Sequence, residues 1–336
     1  MKKVSIIIPV YNMEDWVESG IKCITEQTYE NLEIIIVDDG SKDNSYMKCL
    51  AEADKDRRIA VFSKNNEGPG AARNLALRKA TGDYVYFFDI DDYLEKNAIE
   101  KFVRYMENEN TDLVVCSFSM FDGEKVFRTV KKADGLKRTG GDARKDYYEH
   151  MFMYGERGIQ GAAWFKLYKT DIIRKNGIEF PKLRKSEDDV FVARYVNCID
   201  SFYMTGDVLC RYYVNSYKRF WDKYRFDIFD TSRKSTMYVK DIVLSWNRNN
   251  KDVLQRIYDD YFHKTFGSFC FLFNPNLKLN RKARYARLKE ITDIFMDDIS
   301  CDGIEINHPI FKCMKKKNYR AIYIRIVLHI WKHKFD

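Results

Sequence analysis

No C-x-x-C pair occurs in this chain of 336 residues, although it carries eight cysteines. Their scatter argues against a zinc site or a redox motif and reads as reduced core thiols. No uninterrupted apolar stretch reaches the length of a membrane-crossing helix. The chain opens directly on a strand pattern, Val4–Val10, with no signal peptide, so the expected compartment is the cytoplasm. Internal repeats and low-complexity tracts are absent. So are RNP-like, zinc-finger and helix-turn-helix signatures, and nucleic acid is not an expected partner. Charge is not extreme either: +8, with a pI near 8.8. That excess suits an anionic membrane surface or phosphorylated substrates as well as anything else.

What the chain has in quantity is apolar and aromatic side chains: 45% hydrophobic and 15% aromatic, including 23 Tyr and 23 Phe. A large core is affordable at this length. The first half alternates strand and helix patterns. Strands are expected at Val4–Val10, Leu32–Val37, Arg58–Phe62, Tyr84–Phe88 and Asp112–Phe118. Helices are expected at about 14–28, 44–54, 70–81 and 96–108. Alternation with short loops predicts an α/β fold around a mostly parallel, doubly wound sheet. Residues 119–160 read as a hairpin or long loop plus a helix near 142–154. From Trp221 onward the pattern is helical, near 222–248, 252–272 and 281–299.

Four loops that follow the strands carry distinctive chemistry. After the first comes Pro9-Val10-Tyr11-Asn12, where Pro9 is expected to end the strand. Tyr11 offers either a flat ring beside a base or a core tyrosine. After the second comes Asp38-Asp39-Gly40-Ser41, followed by a helix cap at Asp43 or Asn44. A carboxylate of the Asp38-Asp39 pair at the sheet edge can accept a hydrogen bond from a uracil N–H or a ribose hydroxyl. After the third comes Gly68-Pro69-Gly70-Ala71-Ala72-Arg73-Asn74. This is not a dinucleotide fingerprint, because it follows the third strand and Arg73 stands where the last glycine should be. An Arg in the first turn of a helix suits a nucleotide base or diphosphate.

The fourth loop is the most informative. Tyr84–Phe88 runs straight into Asp89-Ile90-Asp91-Asp92. Read as extended chain, it places Asp89 and Asp91 on one face with Asp92 pointing elsewhere. Crowded carboxylates favour a cation, and oxygen-only ligands suit Mg²⁺ or Mn²⁺ arriving with a phosphate. The alternative is a solvated acidic turn after a core strand.

Taken together, Val4–Asn12, Gln27-Thr28-Tyr29-Glu30-Asn31-Leu32-Glu33, Val37–Ser41, Gly70–Asn74 and Phe88–Asp92 stand in the order and spacing of a family-2 glycosyltransferase of the GT-A type, which the chain resembles over residues 1–100 and more weakly to about 214. The resemblance implies a Rossmann-like central sheet with helices on both faces. It implies a nucleotide-diphospho-sugar donor, usually UDP-linked, with Mn²⁺ or Mg²⁺ at the D-x-D motif. Asp89 would meet the ribose and Asp91 the metal, with Pro9, Tyr11, Asp38, Asp39 and Arg73 around the nucleotide. It implies inversion at the anomeric carbon, which needs a base on the acceptor side. Lys185-Ser186-Glu187-Asp188-Asp189 follows the tryptophan segment Trp164–Tyr168 and maps the base to Asp188, with Glu187 or Asp189 as substitutes. The same run is also an ordinary acidic helix start. Ile90 stands where the family often has Ser, and no His follows Arg211 as a third metal ligand. Arg211 itself is either a phosphate contact or a surface arginine.

The implied layout is a nucleotide-sugar half at 1–100, an acceptor half at 101–215 and a helical region at 216–336. Glycans or lipid-diphosphate-linked saccharides are the implied acceptors. The two rival readings are a catalytically silent nucleotide-sugar-binding or scaffold protein and a nucleotidyltransferase. The loop Pro9–Asn12 lacks the Gly-, Arg- and Lys-bearing character of the latter. The closing segment 309–335 is basic and apolar together, with residues 322, 323, 326, 327 and 330 at helical spacing. It suits either peripheral contact with an anionic inner membrane face or a helix packed on its own domain. A second basic-aromatic stretch, 217–234, suits an acceptor groove or a helix surface.

Overall fold

Runs of Val, Ile and Phe with no polar alternation belong in strands buried on both faces, and the computed structural model puts them there. It describes residues 1–151, 161–183, 186–214, 228–246, 251–300 and 302–333. Two compact units, Met1–Ser216 and Tyr217–Asp336, make up the chain.

The first unit begins as alternation predicts: β1 Val4–Val10, α1 Val17–Thr25, β2 Leu32–Asp38, α2 Ser45–Ala53, β3 Ile59–Ser63, α3 Pro69–Lys79 and β4 Tyr84–Phe87. Then follow β5 Tyr93–Leu94, α4 Ala98–Asn108, β6 Leu113–Phe121, β7 Val126–Val130, β8 Leu136–Thr139 and α5 Gly141–Met151. The unit closes with β9 Lys166–Lys169, α6 Thr170–Lys175, α7 Glu187–Val196 and β10 Ser201–Tyr213. Residues 152–154 of the expected fifth helix, and Lys185, lie outside the described residues.

All ten strands form one sheet, with β3-β2-β1-β4-β9-β6-β10-β5 along its main path. The half from β3 to β4 is parallel. Beyond β4 the sheet is mixed: β9 runs antiparallel to both neighbours, while β6 and β10 are parallel. The carboxyl ends of β1 to β4 therefore share one edge, where open α/β sheets bind ligands. Pro9 does not end β1, which continues to Val10. Alternate residues of a strand face opposite neighbours. Ile7 accepts from Phe88 on the β4 side, so Pro9 turns its missing N–H toward the side where β4 has already ended.

Packing behind this edge follows from spacing. Ile99, Phe102, Val103 and Met106 of α4 recur at helical intervals and are buried. Gln27 ties α1 to α4. Its amide donates to the Cys23 and Glu95 carbonyls and accepts from the Ile99 N–H. Glu33 gathers the Ser5 hydroxyl, the Thr81 and Gly82 N–H groups and Lys3. Burial works against its charge, but these donors prevail and hold the carboxyl down at about 2. The cysteines among the described residues are all free thiols, as their scatter suggested.

The second unit is helical: α8 Ile228–Trp246, α9 Lys251–Phe271, α10 Arg281–Ile299, α11 Pro309–Lys315 and α12 Tyr319–His333. Its core includes Tyr258, Tyr261, Phe262, Phe295 and Phe311. Among the described residues, no helix is long and apolar enough to cross a membrane. Residues 217–227 of the basic-aromatic stretch lie outside the described residues, and Arg233 beyond them is paired with Asp298 at 2.7 Å. Of the five apolar residues at helical spacing in α12, Ile322 and Ile326 are buried and Val327 is exposed.

Candidate active site

Loops at the sheet edge are braced against one another before any ligand is considered. Asn12, at φ 52°, donates its N–H to the Ser41 hydroxyl and accepts from the Lys42 N–H. Asn44 holds the N-cap position of α2 without a side-chain cap bond, and Asp43 before it accepts from the Ser45 N–H and hydroxyl. Asp38 is buried and caps its own turn, accepting from Gly40, Ser41 and Ser63. Asp39 is buried too. It accepts from the Glu67 and Gly68 N–H groups at 3.1 and 2.7 Å and from Lys64 at 3.0 Å. Gly68 makes that contact at φ 100°, a conformation side chains disfavour. Tyr11 is 43% exposed, which rules out the core alternative.

The acidic segment is a turn and not extended chain: the Asp92 N–H donates to the Asp89 carbonyl at 2.9 Å. Ile90 points inward and Asp89 and Asp91 remain half-buried. Asp92 is buried, and its Oδ1 accepts the Tyr213 N–H at 2.8 Å, which fastens the turn to the end of β10. Its Oδ2 has no hydrogen-bond partner. Burial, with Asp89 and Asp91 nearby, pushes this carboxyl well above the usual range.

Ile90 is held by a feature that the sequence did not flag. A Cβ on Gly20 of α1 would stand 2.3 Å from the Ile90 carbonyl oxygen. Gly20→Ala is therefore expected to displace the acidic turn and to cost about 1–3 kcal/mol, the range for overpacking. Urea unfolding checks this; a loss below about 0.5 kcal/mol would show that the turn yields freely.

Arg73 is the centre of the site. It lies in the first turns of α3, is only 5% exposed, and sits over the Phe180 ring at 5.4 Å. One terminal nitrogen donates to Asp89 at 2.8 Å. The other donates to Glu187 at 2.9 Å and Asp188 at 3.0 Å. Sequence reading expected this arginine at the nucleotide; in the structure its terminal nitrogens are held by three carboxylates. Behind it, Phe180 and Phe191 stack at 4.1 Å, with the Phe87 ring edge-on to both.

Glu187, Asp188 and Asp189 form the first turn of α7, where the helix dipole favours acids. Asp188 also accepts from the Ala163 N–H at 3.3 Å, just before the tryptophan segment. Burial, against the pull of Arg73, pushes the Asp188 carboxyl up to about 7, with Glu187 and Asp89 adding to the shift. Arg211 pairs with Glu95 at 2.7 Å over the Tyr93 ring.

A metal fits this donor set in one manner. Asp89 and Asp91 are the residues in one turn that could offer hard oxygen ligands. Among the described residues, no group of three or more His, Cys, Asp or Glu is placed to hold an ion. Mg²⁺-type sites commonly use one or two carboxylates and complete the shell with substrate phosphates. The residues present match that kind of site and not an all-protein cage.

The model for glycosyl transferase family 2 matches residues 5–175, just over half of the chain. The chain belongs to that family. The fold is that of a GT-A glycosyltransferase of family 2, as the motifs implied. Residues 1–349 of Staphylococcus aureus TarS, solved with UDP-GlcNAc, superpose with a TM-score of 0.69 at 18% identity over 99% of this family-2 chain and 92% of theirs. The Pyrobaculum calidifontis mannosyltransferase PcManGT, solved with GDP-Man and Mn²⁺, gives 0.53 at 16% identity over 99% and 88%. At these identities the likeness is one of fold. Among curated relatives, the Bacillus spizizenii poly(ribitol-phosphate) beta-glucosyltransferase is 31% identical over 56% of this chain and 28% of its own length. EpsH of Bacillus subtilis, assigned as a glycosyltransferase, is 33% identical over 57% and 55%. The match thus spans little more than half of such relatives at best.

Proposed function

We propose that this chain transfers a sugar from a nucleotide-diphospho-sugar, with UDP as the nucleotide, to a hydroxyl of a glycan or lipid-linked saccharide, inverting the anomeric carbon to a β-linkage. The observation that carries the reading is the Arg73 clamp. One buried guanidinium joins Asp89 of the donor motif to Glu187 and Asp188, at 2.8, 2.9 and 3.0 Å. Donor acid and base candidate are therefore held at one point on the sheet edge.

In this reading the base lies along β1 to β3, beside the exposed ring of Tyr11, with Pro9, Asp38 and Asp39 shaping the edge. Asp89 faces the ribose. Asp91, with the remaining oxygen of Asp89, would hold Mn²⁺ or Mg²⁺ against the diphosphate. Such an ion supplies Lewis-acid stabilisation of the departing diphosphate. Asp188 accepts the acceptor hydroxyl's proton as that oxygen bonds to the anomeric carbon and the bond to the diphosphate breaks. Glu187, fixed by the same guanidinium, keeps Asp188 in place. Residues 1–100 then form the donor half and 101–215 the acceptor half. The complexes of TarS with UDP-GlcNAc and of PcManGT with GDP-Man and Mn²⁺ support the donor and metal parts. The poly(ribitol-phosphate) enzyme supports a polymeric acceptor in surface polysaccharide synthesis. A cytoplasmic setting agrees with the free thiols.

The test is UDP release from a panel of UDP-sugars with Mn²⁺, with and without EDTA, alongside UDP calorimetry. Wild type is expected to release UDP from one sugar in an EDTA-sensitive manner. Asp91→Ala is expected to lose metal-dependent UDP affinity by about tenfold or more, the usual cost of a disturbed metal shell. Unchanged UDP affinity of that variant in excess Mn²⁺ would remove Asp91 from the site. Tight UDP binding without turnover, in the presence of saccharide acceptors, would favour a silent binding protein.

A further inference from the structure

The second unit carries an exposed apolar stripe that the transfer reading does not use. In α12 the packed side is formed by Ile322 and Ile326, both fully buried. At 3.6 residues per turn, Ile324, Val327, Leu328 and Trp331 fall within an arc of about 100° on the opposite side. They are 58%, 40%, 58% and 68% exposed. A helix end is ordinarily polar on the side away from its core, and here that side carries two branched aliphatics, a leucine and a tryptophan. No Asp or Glu occurs from residue 306 to 335. Arg325 and Lys332 flank the stripe, and Lys316 and Lys317 stand exposed just before the helix.

The stripe runs into a cavity. A pocket of about 580 Å³ is lined by Arg281, Lys282 and Tyr285 of α10 and by Arg320, Tyr323 and Ile324 of α12. Three cations and two tyrosines in one concavity suit a phosphate with a polar head. Ile324 belongs to pocket and stripe alike, so a cationic hollow and an apolar ridge form one continuous surface.

We propose that this surface docks the chain on a lipid bilayer containing anionic lipid, with a headgroup phosphate in the Arg281–Lys282–Arg320 pocket and Ile324, Val327, Leu328 and Trp331 at the acyl boundary. The two chemistries together choose the occupant. A soluble polyanion would account for the cations but would leave the apolar stripe in water. A second copy of the chain, paired about a two-fold axis, would set the same cations against one another. An anionic interface satisfies both parts, since basic residues and a Trp-bearing apolar face are what such surfaces recruit. The proposal does not rest on the transfer reading and can fail without it.

Co-sedimentation of the full chain tests it, using phosphatidylcholine vesicles with and without about one-third phosphatidylglycerol. Binding to the anionic vesicles is expected to be at least tenfold tighter and to weaken in high salt. Leu328→Ser with Trp331→Ser, and separately Arg281→Glu with Arg320→Glu, are each expected to weaken it at least tenfold. Trp331→Phe should retain it, and circular dichroism confirms that each variant is folded. Equal binding to neutral and anionic vesicles would overturn the proposal. So would binding that the serine pair leaves unchanged while inorganic polyphosphate competes fully, which would point to a soluble polyanion. Concentration-dependent dimers lost in the serine pair, with no vesicle binding by wild type, would assign the stripe to self-association instead.

Discussion

Asp188→Asn lowers sugar transfer by about 10²- to 10⁴-fold and leaves UDP affinity within about twofold, if Asp188 takes the acceptor proton. The amide keeps the size of the side chain and its contact with Arg73 from the oxygen side, but has no basicity to offer. A pH dependence accompanies the substitution. Burial pushes the wild-type carboxyl up to about 7, and only its ionised form can accept a proton. Wild-type kcat/KM should therefore fall as pH is lowered through about 7, and not near 4 where an ordinary aspartate titrates. A profile flat from about pH 8 to about pH 5, or a loss of UDP affinity equal to the loss of turnover, would remove Asp188 from the base role.

Arg73→Ala should be the most disruptive change for the fold of the site, costing about 3–5 kcal/mol, the range for breaking a buried ion pair from one side. The side chains of Arg73, Glu187 and Asp188 are only 6%, 8% and 20% exposed. Without the guanidinium, three carboxylates face each other with no counter-charge. Their folded-state pKa values then rise above those of the unfolded chain, so the folded form holds protons that the unfolded chain has released. Stability in the variant should consequently recover as pH falls from about 8 toward 5. Urea unfolding at both pH values reads this directly. A loss below about 1 kcal/mol, or one independent of pH, would mean that the clamp is not a structural element. Arg73→Lys keeps the charge but not the fork that spans both sides, and should restore stability better than activity.

Much of the donor side was legible because its elements are local. Strand β1 is a run of buried aliphatics that ends before Tyr11-Asn12, and such a run has few other places to go. The acidic triplet after β4 stood out for the same reason. Its internal conformation did not, because the turn at Asp89–Asp92 is enforced by Ile90 packing onto Gly20 and by Asp92 reaching Tyr213, 121 residues away. The Arg73 clamp was equally hidden. Its partners Glu187 and Asp188 lie 114 and 115 residues along the chain. In α12 the apolar spacing was legible as helical but left open whether it meets a membrane or the core, since a helix apolar on two sides gives no hint of which side the core takes; Ile322 and Ile326 pack, and Val327 is exposed.

By itself, the sequence pointed to the family, to the strand–helix alternation of the parallel half and to which carboxylates are candidates for the site, since apolar runs, turn residues and motif spacing act within a few positions of themselves. Only the tertiary structure decided that Arg73 pairs with three acids, that Asp39 accepts from the Lys64–Gly68 loop, and that Asp188 lies in a setting that raises its pKa. Charge burial and long-range pairing depend on which distant segments are brought within a few ångströms, and that is a property of the packed chain.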